Sequence, residues 1–324
     1  MHKAIRIHEN GGPEVLRYED IAVDGPAPNE VQIRHTAIGV NFIDVYDRTG
    51  LYPQTLPCVL GREAAGVVTA KGRKVRDVRV GDRVAYVMPQ PGAYSELRNV
   101  PADRVVKVPK GISDEQAAAI MLKGMTAQYL LRRTYRVSRG DVILVNAAAG
   151  GVGLILCQWA KALGATVIGV VGSDAKAVIA RKHGCKHVLI PGRDEIAASV
   201  KKLTKGVGAA VAYDGVGKDT FVESLDSLRP LGMMVTFGNA SGPVPAMSPL
   251  ELSKRGSLFL TRPTLFHYIA KREDLLATAR ELFAAVKSKA VRVRIQQTYA
   301  LKDAAEAHRA LEARRTTGST VLIP

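Results

Sequence analysis

The strongest constraint on this chain is one 30-residue stretch, about the length of a strand–helix–strand unit. Val142-Ile143-Leu144-Val145 is an unbroken aliphatic run, the pattern of a parallel strand buried on both faces. Ala147-Ala148-Ala149-Gly150-Gly151-Val152-Gly153 follows it directly. Leu154 to Leu163 then predicts an apolar helix stopped by Gly164, and Thr166 to Val171 predicts a second buried strand. In this setting a glycine turn acquires meaning as a dinucleotide-phosphate site. Gly150 lets the backbone approach a pyrophosphate, and Gly153 allows close helix–strand packing. Gly151 and Val152 open the helix, whose free N–H groups and positive dipole end favour phosphate. The pattern is imperfect, because Ala148 stands where the first glycine of G-x-G-x-x-G belongs. The competing interpretation is a glycine turn kept only for packing.

The same region imitates a membrane span. Val142 to Ala160 carries no charge and is long enough to cross a bilayer. Its centre holds Asn146 and three glycines, however, and no second such segment exists, so no membrane insertion is expected. Met1-His2-Lys3-Ala4-Ile5-Arg6 alternates like a strand and does not resemble a signal peptide. The expectation is a cytoplasmic protein. The length of 324 residues allows two domains. Cys58, Cys157 and Cys185 are odd in number and lack metal-like spacing. Lys and Arg number 46 against 30 Asp and Glu, a net charge of +16. Such a surface attracts an anionic cofactor, binds nucleic acid, or is only solvated. The densest basic run, Lys71 to Arg79, is broken by valines and closes on Gly81-Asp82. It predicts an exposed hairpin and lacks the aromatic interleaving of a single-strand binder, which argues against nucleic acid without excluding it.

Residues 1 to about 122 predict mostly strands, among them Ala4–Ile7, Val31–His35, Gly66–Thr69 and Arg83–Val87. Ser113-Asp114-Glu115-Gln116 has the form of a capping box opening a helix. Strands and helices then alternate. Val188–Ile190, Ala209–Tyr213, Met233–Phe237 and Ser257–Thr261 join the first two strands, making six, the number in a full doubly wound sheet. Asp174 to His183 predicts a helix capped by Ser173. In the tail, Arg272–Lys287 and Asp303–Arg314 predict helices, and Arg292–Gln296 and Thr320–Ile323 predict strands. The expected organisation is a nucleotide domain, 125–262, inserted between two parts of another domain, 1–124 and 263–324. The active site is expected in the cleft between them.

Several segments in this order resemble a family. They are Gly11-Gly12-Pro13-Glu14-Val15-Leu16, the segment Asn41 to Pro53, Gly61-Arg62-Glu63-Ala64-Ala65-Gly66, Gly81-Asp82-Arg83-Val84, Lys123-Gly124-Met125-Thr126-Ala127, Ala147 to Gly153, and Phe237-Gly238-Asn239. Together they resemble the zinc-independent quinone reductases, the zeta-crystallin-like branch of the medium-chain dehydrogenases/reductases. The likeness covers essentially the whole chain. It implies an α/β fold, with a six-stranded doubly wound Rossmann domain inserted in a mostly-β GroES-like catalytic domain. Zinc-dependent relatives place Cys where Asn41 stands and His where Arg62 stands. An amide is a poor zinc ligand and a guanidinium is none, so no metal is expected. Arg62 replaces the small polar residue expected in close relatives. It either narrows the pocket or contacts an anionic substrate.

The cofactor expected is NADPH. No carboxylate stands at Val171-Gly172-Ser173, where an NAD site places its ribose-binding acid. Asp174 comes one residue later, and Lys176 is placed to neutralise a 2′-phosphate. The resemblance assigns Gly172, Ser173 and Lys176 to that phosphate. It places Thr126 and Tyr129 near the nicotinamide, Asn239 (after Phe237 and Gly238) near its ribose and amide, and Arg314 near the adenosine phosphates. Pro191 stands where close relatives carry a tyrosine, with Arg193 nearby as a replacement. The reaction implied is hydride transfer to a quinone. Asn41 is expected to touch both cofactor and acceptor, offering an amide N–H, while Tyr46 and Tyr52 offer phenols and flat faces. Arg62 and Glu63 complete the substrate pocket. The nearest rival is an NADPH-dependent alkenal or enone reductase of the same superfamily. A rival of another class is an NADPH-binding protein that binds RNA or serves structurally, as a crystallin does. His35, His183, His187 and His267 lack partners at ligand spacing and are expected to be surface or core residues. The resemblance also implies a homodimer. Leu258-Phe259-Leu260 would otherwise be an exposed strand edge.

Overall fold

The computed structural model describes residues 1–324, which divide into two compact units. One comprises Met1–Met125, Ile269–Lys287 and Val293–Pro324; the other comprises Thr126–Tyr268 and Ser288–Arg292. No helix is long and apolar enough to cross a membrane.

The first unit is built on a seven-stranded sheet. Its order is Ile295–Ala300, Ser319–Ile323, Glu30–Val40, Glu63–Lys71, Arg83–Val87 and Val105–Lys107, and Leu97–Pro101 also pairs with Glu30–Val40. Arg17–Ile21, His2–Ile7 and Cys58–Val59 form a smaller sheet. Alternation places Val31 and Ile33 in the core, and the last four residues of their strand are buried outright. Val31, Ile33, Ile38 and Val40 meet Leu60, Val68, Val84, Tyr86, Tyr94 and Leu322 in one apolar cluster, each large aliphatic contributing about 1.5–3 kcal/mol on burial. His35 belongs to this core. Its ring bonds the Ser95 carbonyl at 2.6 Å and the Tyr86 hydroxyl at 3.0 Å, and burial lowers its pKa to about 4.

The second unit is a six-stranded parallel sheet in the order Cys185–Leu189, Thr166–Val170, Val142–Val145, Ala209–Asp214, Leu228–Thr236 and Phe259–Thr261. Sequence order reverses direction at Val142–Val145 and Ala209–Asp214, the switch point where such sheets open a crevice at their C-terminal ends. The helix Gly151–Ala162 begins at that end. Ser173 caps Asp174–Lys182, its Oγ accepting the Lys176 amide. Ser113 and Gln116 close the predicted capping box before Asp114–Tyr129.

The exposed hairpin is formed by the antiparallel strands Glu63–Lys71 and Arg83–Val87, and residues 72–82 are its loop, from which Val75 and Val78 tuck into the apolar cluster. Two local expectations fail for identifiable reasons. The strand expected at Arg292–Gln296 lies at Ile295–Ala300, set by parallel pairing with Ser319–Ile323. The last parallel strand starts at Phe259, because Ser257 adopts a left-handed conformation (φ +57°) that no strand continues through.

Candidate active site

The predicted residues fall into two groups, one in each unit. Thr126, Tyr129, Gly150–Gly153, Gly172–Lys176 and Phe237–Asn239 lie in the parallel-sheet unit; Asn41, Tyr46, Tyr52, Arg62, Glu63 and Arg314 lie in the other.

In the parallel-sheet unit the glycine turn is formed by backbone. Ala147 takes φ +51°, reversing the chain at the strand end, and the Gly150 amide returns to its carbonyl at 2.8 Å. Gly150 is the N-cap of Gly151–Ala162 and contributes no side-chain bond. The first amides of that helix therefore lack an intrahelical acceptor. A Cβ on Gly153 would overlap the Ala147 carbonyl oxygen, whereas one on Gly172 would meet nothing. The turn is a cradle that close-packed backbone has shaped, and it suits a pyrophosphate. Beside Gly172, Asp174 accepts from Arg193 Nη1 at 2.8 Å, and both are exposed. Asp174 is thus paired with a cation that Asp194 also faces, at 3.8 Å.

Across the switch point, Asp214 fixes the next loop. Its Oδ1 accepts the Val216 amide at 2.7 Å, the Gly217 amide at 3.3 Å and the Thr220 hydroxyl at 2.9 Å. Gly238 packs against this loop so closely that a Cβ would overlap the Gly215 carbonyl. The Thr236 hydroxyl, buried at the end of its strand, has no protein partner. The Asn239 amide fits with its nitrogen on the Gly238 carbonyl and its oxygen on Arg262 Nη2 at 3.2 Å. Thr126 is buried, and Tyr129 stacks on Tyr268 with ring centroids 4.3 Å apart. Burial raises the Tyr129 phenol pKa, so it remains protonated. Arg314 is exposed and left-handed (φ +56°), just past the helix Ala304–Glu312.

In the other unit, Asn41 caps the helix Phe42–Thr49. It closes a capping box with Asp44, whose Oδ2 accepts the Asn41 amide at 2.8 Å. Asn41 Nδ2 donates to Glu63 Oε1 at 2.7 Å. Glu63 is fully buried, behind Asn41. The Tyr46 and Tyr52 rings meet edge to face at 5.2 Å, and the Tyr52 amide bonds the Tyr46 carbonyl. Gly50 ends the helix at φ +81° and turns the chain between them. Arg62 is not a free guanidinium. Its Nε and Nη2 clamp Asp47 at 2.8 and 2.7 Å, and both partners are buried. Burial raises the Asp47 pKa while Arg62 opposes the rise.

Further polar residues here, Asp44 apart, have no motif to announce them. Tyr94 donates to Asp44 Oδ2 at 2.9 Å and meets His308 Nε2 at 3.1 Å. Arg48 donates to His308 Nδ1 at 3.1 Å and to both Glu312 oxygens at 2.9 and 2.7 Å. Arginine only donates, so Nδ1 is the acceptor and Nε2 carries the proton toward Tyr94. Burial, then the Arg48 charge, lowers the His308 pKa to about 3. Burial, then the neighbouring Asp47, raises the Asp44 pKa to about 7. Only Asp44 was foreseeable, since Asn41-x-x-Asp44 is a helix-start pattern.

No three His, Cys, Asp or Glu side chains stand together to hold a metal ion, and the cysteines are free. The folds of the two units and the glycine cradle define a medium-chain dehydrogenase/reductase. Residues 27–110 match the alcohol dehydrogenase GroES-like domain and 151–285 the zinc-binding dehydrogenase domain. A quinone oxidoreductase of Pseudomonas aeruginosa is 52% identical, with both chains covered completely. The 2-haloacrylate reductase of a Burkholderia species is 46% identical, covering 100% of this chain and 99% of its own. The crystal structure of Escherichia coli quinone oxidoreductase complexed with NADPH matches with a TM-score of 0.98 at 47% identity, covering 99% of this chain and 100% of its own. The chain belongs to the quinone oxidoreductase family.

Proposed function

We propose that this protein is an NADPH-dependent quinone reductase that works without a metal ion. The observation that carries this reading is full-length relationship to quinone oxidoreductases, joined to a backbone cradle suited to pyrophosphate. NADPH supplies the hydride. Gly150, Gly151, Val152 and Gly153 bind its pyrophosphate through backbone amides. Gly172, Ser173 and Lys176 receive the 2′-phosphate, where Asp174 is already paired with Arg193. Thr126, Tyr129, Phe237, Gly238 and Asn239 orient the nicotinamide half, and Arg314 attracts the adenosine phosphates. Asn41 touches the cofactor and, with Tyr46 and Tyr52, receives the acceptor. Donors aimed at a carbonyl oxygen stabilise the charge it gains, which is the task left where Asn41 and Arg62 replace zinc ligands. Arg62 and Glu63 support this pocket from within, each tied to a buried neighbour.

The test is loss of nicotinamide absorbance by EDTA-treated protein, comparing NADPH with NADH and a small quinone with an enone. Rapid NADPH oxidation by quinone supports the reading. The 2-haloacrylate reductase among the relatives favours a second one, reduction of an activated carbon–carbon double bond. Turnover with enone alone would select it. The protein is further proposed to be cytoplasmic and homodimeric. Phe259 and Leu260 lie exposed on the edge strand of the parallel sheet, an edge that natural proteins cover. Sedimentation as a monomer at micromolar concentration would refute the dimer.

A further inference from the structure

We propose that Glu63 and Lys123 are positioning residues that lock the orientation of the Asn41 amide. This rests on the assignment of Asn41 to the reacting carbonyl. Glu63 begins the strand Glu63–Lys71, with Gly39 opposite in the neighbouring strand. A Cβ on Gly39 would overlap Glu63 Oε1 and the Ala118 carbonyl, so that glycine makes room for the carboxylate. Oε1 accepts from Asn41 Nδ2 at 2.7 Å and from Lys123 Nζ at 3.1 Å, and Oε2 accepts the Leu122 amide at 2.5 Å. All three side chains are buried, at 0% exposure for Glu63, 4% for Asn41 and 5% for Lys123.

The arrangement solves an ambiguity inherent in asparagine. An amide has two N–H donors and one carbonyl, and a half-turn about its last bond exchanges them. At Asn41 the side chain also closes the capping box with Asp44. With one N–H on Glu63, the other is left to meet a ligand. A flipped amide would press its oxygen against a carboxylate. Both Glu63 oxygens act as acceptors in this cluster, and Lys123 is the cation paired with the carboxylate at 3.1 Å. The Leu122 amide is helix backbone and cannot turn away from a group placed against it. A glutamine at position 63 cannot satisfy all three donors. If its oxygen faces Leu122, its nitrogen faces Asn41 and favours the flipped amide. If its oxygen faces Asn41, two N–H groups confront each other at Leu122.

The test is a double-mutant cycle of Asn41→Ala and Glu63→Gln, read as kcat/KM for quinone at saturating NADPH, with melting temperatures alongside. Asn41→Ala is expected to lower kcat/KM about 100-fold, the scale of one lost oxyanion donor. Glu63→Gln should lower the same parameter about tenfold or more. In the Asn41→Ala background it should cost no more than about twofold, the non-additivity of a residue acting through another. Two losses that multiply overturn the proposal, because a merely structural role combines in that way. So does full activity of Glu63→Gln. If Glu63→Gln leaves Lys123 unpaired and fails to fold, Glu63→Gln/Lys123→Met removes both charges and should show the same loss; full activity there refutes the lock. An Asn41→Ala enzyme as active as wild type overturns the assignment of Asn41, and wild-type protein without quinone turnover overturns the functional reading. Each removes the basis of the lock by a different result from those that refute the lock alone.

Discussion

His308 offers the sharpest test of the buried polar chain beside the pocket. It is fully buried between Tyr94 and Arg48, and it stays neutral down to about pH 3. In the unfolded chain a histidine takes up its proton near 6.5. Between those values the unfolded state binds one more proton than the folded state. Stability from this group is therefore present above about 6.5 and lost as pH falls toward 3. The span is worth about 5 kcal/mol at about 1.4 kcal/mol per pH unit. Asp44 works in the opposite direction. Its folded pKa is raised to about 7, so its contribution is present at low pH and lost as pH rises through 7. The wild-type curve mixes both, and the difference between wild type and His308→Gln isolates the histidine. Glutamine keeps a donor and an acceptor but takes no proton. Urea unfolding followed by far-UV circular dichroism at several pH values between 4 and 6 gives that difference. Between pH 4 and 6 the wild type should lose about 3 kcal/mol relative to the variant. Parallel stability curves would show that His308 titrates normally in the folded protein and would refute the argument.

Arg62→Met should destabilise the fold by about 3–5 kcal/mol, because Asp47 is left buried without its cation. Arg62→Met/Asp47→Leu should recover most of that loss in thermal melts, as replacing a whole buried pair often does. Lys176→Ala should weaken NADPH binding about tenfold or more while leaving NADH nearly unchanged, the expectation for a lost charged contact to the 2′-phosphate. Titrations of both nucleotides by nicotinamide fluorescence check it, and equal losses would point to a general helix-start effect. Gly153→Val should abolish detectable NADPH binding, since even a Cβ there overlaps the Ala147 carbonyl. Gly172→Ala, whose Cβ meets nothing, should retain its fold and melt near the wild-type temperature.

What could be read in the chain depended on how far apart the interacting residues lie. The parallel sheet was legible because each of its elements carries its own signal: Val142–Val145 is uniformly apolar, Ser173 precedes its helix, and Gly150 and Gly153 stand where backbone must come close. The boundaries that moved did so under tertiary control. The strand at Ile295–Ala300 takes its register from Ser319–Ile323, and Ser257 breaks the last strand through a left-handed turn. The candidate pocket was legible only in part, for the same reason. Asn41, Tyr46 and Tyr52 share one short segment, whereas Glu63 lies 22 residues from Asn41 and Lys123 a further 60 along the chain. Arg48 and Glu312 are separated by 264 residues. Such pairs have no periodicity, and a lone Lys or His looks the same in sequence whether it faces water or a buried acceptor. Burial distinguishes them: a charge removed from water must meet partners or give up its charge. Arg62 illustrates the consequence. In sequence it either narrowed the pocket or met an anionic substrate; in the fold Asp47 occupies two of its donor groups. That pairing ties Arg62 to the helix that carries Asp47, the same helix that Asn41 caps.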